Sequence, residues 1–69
     1  EALVELVNTL PVGYKMAFNL YVVEGYTHSE IADKLGISEN TSKSQLSRAK
    51  AMLRILLEKR GIKSLTNYA

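Results

Sequence analysis

The chain has 69 residues, enough for one small domain, with nine Lys and Arg against seven Asp and Glu for a net charge of +2. It contains no cysteine, which excludes disulfides and thiolate metal sites, and its single histidine, His28, has no second histidine with which to share a metal. No apolar run approaches the roughly 20 residues that a membrane span needs, and no signal peptide is recognisable.

A cysteine-free composition suits a reducing cytoplasm, the expected location. The small net charge hides an asymmetry. Residues 1–39 carry two lysines against six carboxylates, net −4, while residues 40–69 carry seven cations against Glu58 alone, net +6. A basic C-terminal half predicts an anionic partner, and an acidic N-terminal half predicts a different one. Opening on Glu1 rather than Met, the sequence is expected to be a piece of a longer chain.

No strand alternation persists, and the pattern before the tail is helical throughout. The first predicted helix covers about residues 2–9, with Leu3, Leu6, Val7 and Leu10 at helical spacing. Pro11 stops it, because the residue before a proline is pushed out of the helical region. The second runs over about 12–24. Tyr14, Ala17, Phe18 and Tyr21 form its stripe, widened by Met16, Leu20 and Val23, and Gly25 ends it.

The third, about 28–35, opens with a capping box in which Thr27 is the cap and Glu30 lies three residues on. Ile31, Ala32 and Leu35 face inward, and Gly36 allows the positive backbone torsion of a sharp turn. The fourth is capped by Ser38 and runs over about 39–60, with Leu46, Ala49, Leu53, Leu56 and Leu57 as its seam. The tail, 61–69, reads as a loose end or a short packed turn. The expected core is Leu6, Leu10, Phe18, Tyr21, Ile31, Ala32, Leu35, Ile37, Leu46, Ala49 and Leu53.

This pattern predicts an all-α, four-helix domain spanning 1–69. Its last two helices form a helix-turn-helix, of the winged-helix-like DNA-binding type without a wing. Ala32 is the small residue where the two helices approach, and Gly36 is the glycine of the turn. On a helical wheel the face opposite the seam carries Asn40, Ser44, Ser47, Arg48 and Ala51. Lys43 flanks one side, and Thr41 and Gln45 flank the other. Short polar and cationic side chains on a helix front suit the major groove, where Gln pairs with adenine and Arg or Lys with guanine.

Candidate DNA-binding residues are therefore Asn40, Thr41, Lys43, Ser44, Gln45, Ser47 and Arg48. Thr27, His28 and Ser38, at helix starts, and Lys50 and Arg54, farther along the last helix, are candidate phosphate contacts. His28 is otherwise expected to be an exposed first-turn residue. Tyr14, Tyr21 and Tyr26 are expected in the core and rim. Ser42 falls on the buried seam, where its hydroxyl is expected to bond back to a main-chain carbonyl. Glu39 suits a helix start or the amino group of a cytosine.

The segment LPVGYKMAFNLYVVEGYTHSEIADKLGISENTSKSQLSRAKAML, Leu10 to Leu53, resembles region 4 of bacterial sigma factors. It is most similar to the small extracytoplasmic-function group in the style of Bacteroidetes. The resemblance rests on the LP before the second helix, the central Phe18, the EGYTHSEIA entry, the LGIS turn and the TSKSQLSRAK reading helix. It implies a domain that recognises the −35 promoter element through the positions of Lys43, Ser44, Gln45, Ser47 and Arg48, with Thr41 near the backbone. It also implies docking on the β flap of RNA polymerase and, in many members, cover by an anti-sigma factor. Region 2, which a full member carries, is not in this chain. Many members have glycine at the position of Asn40, valine at that of Ser42 and arginine at that of Gln45.

Two other readings share the helical pattern. One is the output domain of a dimeric response regulator or repressor, which needs a dimer seam and a palindromic site. The other is a protein-binding helical module that uses the acidic half. No enzyme is expected, since no carboxylate pair, activated nucleophile or Gly-rich phosphate loop is present. No cofactor, metal or small-molecule substrate is expected either.

Overall fold

The computed structural model describes residues 2–61. The described residues form helices without strands. These are α1 (Ala2–Asn8), α2 (Val12–Phe18) continued by a π-helical segment (Asn19–Val23), α3 (His28–Leu35) and α4 (Glu39–Lys59). The tail from residue 62 onward lies outside the described residues.

α1 closes on a tight turn. Thr9 and Leu10 donate their backbone N–H groups to the carbonyls of Leu6 and Val7 at 3.0 and 3.1 Å, and the Thr9 hydroxyl adds a 2.6 Å bond to Leu6. Pro11, which has no N–H to leave unpaired, then opens α2, and its carbonyl accepts from Lys15 at 2.9 Å.

The end of the second helix departs from the expected regular geometry. Glu24 donates to the carbonyl of Asn19, five residues back, at 3.0 Å, and Tyr26 donates to Leu20 at 2.9 Å. The wider turn changes which residues face the core. Val22 packs against the core cluster. Tyr21 is 39% exposed, Met16 42% and Val23 70%. Tyr21 is thus not a core residue, because a residue three places after Phe18 shares its face only while the turn keeps 3.6 residues.

α3 has the expected capping box. Thr27 Oγ1 accepts from the Glu30 N–H at 3.1 Å, and Glu30 Oε1 accepts from the Thr27 N–H at 2.9 Å. Its C-terminus is a left-handed glycine cap, Gly36, at φ 67° and ψ 36°. The Ile37 N–H then bonds the Ala32 carbonyl at 3.0 Å, six residues closing on one, which fixes the direction in which the chain leaves α3. Ser38 starts α4 one residue later, accepting the Thr41 N–H at 3.0 Å and donating its hydroxyl to Thr41 Oγ1 at 2.8 Å.

α4 is the spine. Leu46, Ala49, Leu53 and Leu57 are buried on one side of it and meet Leu6, Val7, Leu10 and Phe18 in a single cluster. It packs most extensively on α2 and next on α3. Ile31, at 0% exposure, anchors α3. Ala32, Leu35 and Ile37, expected in the core, are half-buried. Val7, Ala17 and Leu57 complete the buried set.

Candidate nucleic-acid interface

The first seven residues of α4, Glu39 to Gln45, contain no apolar side chain. Such a stretch cannot hold itself down by hydrophobic burial, so its outer side stays in water. Asn40, Thr41, Lys43, Ser44, Ser47, Arg48 and Ala51 are all exposed, while Ser42, Leu46, Ala49 and Leu53 are buried on the opposite side. The structure thus brings six of the seven candidate DNA-binding residues onto one wet face of α4.

Gln45 departs from that face. It is half-buried, and its amide lies where a side chain on Gly13 of α2 would stand, with Nε2 3.0 Å from an ideal Cβ at Gly13. Its Oε1 is buried without a hydrogen-bond partner. The wheel sets Gln45 on a flank, and the close approach allowed by Gly13 turns that flank inward.

The candidate phosphate contacts divide. Thr27 and His28 lie at the start of α3, and Glu39 and Lys43 lie at the start of α4. Together with Tyr21, Gly25, Tyr26 and Ser29 they line one open cleft of about 540 Å³. Two helix N-termini therefore flank the same concavity, each with a partial positive charge from its free amides. Ser38 is exposed, and its side chain is engaged as the cap of α4. Lys50 is half-buried and Arg54 exposed, both beyond the leading turns.

His28 is not the free first-turn residue expected of it. Its ring stacks on Tyr21 with centroids 4.5 Å apart and planes at 21°. Its Nδ1 shares a 2.9 Å hydrogen bond with the Ser42 hydroxyl. Ser42 is fully buried, as its place on the seam requires, but its side-chain partner is His28 rather than a main-chain carbonyl. The sequence signal was available: a serine on a core seam needs a partner. Tyr26, in the same cleft, carries Lys34 Nζ 4.4 Å from its ring centroid.

The carboxyl of Glu30 titrates below its ordinary value of 4.5. The Thr27 backbone N–H is the main cause, the Thr27 side chain adds to it, and Lys34 contributes least. The charge that caps α3 is thus present at neutral pH. Among the described residues no group of three or more His, Cys, Asp or Glu is placed to hold a metal ion, and no helix is long and apolar enough to cross a membrane.

A comparison with known protein families settles the lineage. The family described as Sigma-70, region 4 matches residues 1–53, from the first helix into α4. The chain belongs to this family. No curated protein and no solved structure matches it. As a sigma-70 region 4 domain it is a DNA-binding helix-turn-helix domain of a transcription factor, in a family that works with promoter DNA and RNA polymerase.

Proposed function

We propose that residues 1–69 form the promoter-reading domain of an extracytoplasmic-function sigma factor of the Bacteroidetes type, acting in the cytoplasm. In this reading the front of α4 recognises the −35 element in the major groove, and another face docks on the β flap of RNA polymerase. An anti-sigma factor covers the domain when transcription is held off. The observation that carries the reading is the two-sidedness of α4: Asn40, Ser44, Ser47 and Arg48 stand in solvent directly opposite Leu46, Ala49 and Leu53.

The chemistry divides between anchoring and reading. The starts of α3 and α4, at Thr27, His28 and Ser38, offer backbone amides to phosphates, and Lys50 and Arg54 add positive charge farther along. Lys43, Ser44, Ser47 and Arg48, with Asn40 and Thr41 at the leading edge, face the bases. Gln45 joins them on leaving its seat against Gly13.

The test is selection from randomised duplexes by the 69-residue chain, followed by affinity measurements on the selected sequence and a scrambled one. Arg48→Ala is expected to weaken binding to the selected duplex by roughly 1–3 kcal/mol while scarcely changing the scrambled one. Equal losses on both would reduce Arg48 to a phosphate contact. Sedimentation with the selected duplex separates this reading from a dimeric repressor. A sigma domain binds a non-palindromic site as a monomer, and a repressor requires a palindrome and two copies.

A further inference from the structure

We propose that His28 is a positioning residue for promoter reading: clamped between Tyr21 and Ser42, it sets the angle at which the leading turns of α4 are presented. The proposal deepens the promoter-reading assignment and rests on it. The problem it solves is visible in the composition of α4. The reading turns, Glu39 to Gln45, have no apolar side chain, and the hydrophobic seam begins only at Leu46. Burial of Leu46, Ala49 and Leu53 holds the body of the helix, but hydrophobic contact is non-directional and leaves the leading end free to tilt. The Ser38 cap is local to α4 and its own first turn.

What joins the leading end to the rest of the fold is the bond between His28 Nδ1 and Ser42 Oγ, 2.9 Å across 14 residues. Every other side-chain hydrogen bond among the described residues spans three residues. The bond is directional, and Ser42 is fully buried, so water does not compete for the hydroxyl. The imidazole is held in turn by stacking on Tyr21, which the π-helical turn rotates out of the core and over α3. Three elements therefore converge on one ring. Ser42 immediately precedes Lys43 and Ser44 in α4, so a tilt at Ser42 moves the side chains that meet the bases. Gln45 touches α2 at Gly13, but its Oε1 makes no bond there, so it cannot replace the directional tie.

Four forms of the 69-residue chain test this: the native chain, His28→Ala, His28→Asn and Ser42→Ala. The asparagine side chain places a hydrogen-bonding atom near the position of Nδ1 and so keeps the link to Ser42. Two readouts are taken. Residual dipolar couplings without DNA report the angle between α3 and α4, and the ratio of affinities for the selected and scrambled duplexes reports reading.

His28→Ala and Ser42→Ala are expected to change the angle and cut the ratio by roughly three- to tenfold, the size of one net hydrogen bond. Affinity of Ser42→Ala for the scrambled duplex should hold, since the buried Ser42 is no DNA contact, and His28→Asn should restore both readouts. An unchanged angle in His28→Ala and Ser42→Ala overturns the clamp. So does a lost ratio at an unchanged angle, which makes His28 a direct DNA contact. Should His28→Ala fail to fold, Ser42→Ala, which removes only a hydroxyl, decides alone. If the native chain shows no preference among duplexes, the promoter reading falls, while the couplings still decide whether His28 sets the angle.

Discussion

Gln45 carries a buried carbonyl oxygen with no hydrogen-bond partner, seated where Gly13 leaves room for it. An unpaired buried acceptor costs about 1–3 kcal/mol, so the seat is held by shape and not by polar pairing. A methyl group on Gly13 would meet Nε2 at 3.0 Å, which is too close, but the obstacle is the far end of a flexible side chain. Gly13→Ala is therefore expected to push the amide into water. It should stabilise the fold by about 0.5–1 kcal/mol, because alanine replaces glycine within a helix. Denaturant midpoints and the exchange of the Gln45 side-chain amide check both halves. A lower midpoint would mean that the amide is wedged and cannot leave. A wheel drawn for α4 alone places Ser42 and Leu46 correctly and misses this seat, since the space belongs to a glycine 32 positions earlier on another helix. The same reason hides His28: the wheel shows that Ser42 needs a partner but not which helix start supplies it.

Local chemistry made some elements legible. The Thr27 to Glu30 box, the Gly36 cap and the Ser38 cap each satisfy backbone groups within a few residues, so their spacing alone locates the ends of α3 and the start of α4. The π-helical turn was not legible, because Leu20, Tyr21, Val22 and Val23 are apolar without a break. Such a run presents an apolar side chain to the core in either hydrogen-bond register, and the choice between them rests on contacts distant in sequence, Tyr21 on His28 of α3 and Val22 on the core cluster. The capping box also makes a prediction at this scale. The Glu30 carboxyl titrates below 4.5 in the fold, so the native state prefers its charged form. Its contribution to stability is fully present above the unfolded value and is lost as pH falls through the lowered folded value. Glu30→Gln keeps an oxygen for the Thr27 N–H but cannot titrate. Its melting temperature should therefore fall less steeply than that of the native chain below about pH 4.5. Parallel acid limbs in thermal melts from pH 7 to pH 3 would show that the charge of Glu30 plays no part in the cap.

Over the whole molecule, charge and fold are arranged on one axis. The acidic first 39 residues include α1 to α3, while α4 carries five cations (Lys43, Arg48, Lys50, Arg54 and Lys59) against Glu39 and Glu58, so the long helix is the most cationic element among the described residues. Its cations are not spread evenly. Lys43, Lys50 and Arg54 recur at intervals of seven and four residues, which places them along one edge of the helix. Arg48 lies on the other edge of the exposed front. If the front enters a groove, one edge runs beside a phosphate strand, and Arg54, two turns or about 10 Å beyond Ser47, extends the contact past the bases. Each phosphate neutralised adds about 0.9 to the slope of log affinity against log salt. Arg54→Ala should therefore lower that slope by about 1 and weaken every duplex equally, whereas Arg48→Ala separates the selected duplex from the scrambled one. The measurement is a salt titration of both duplexes from low to physiological ionic strength. An unchanged slope in Arg54→Ala would place the far half of α4 away from the DNA and confine the contact to its first three turns. The helix would then meet the groove end-on, with only the Lys43 side of its leading turns near a phosphate strand.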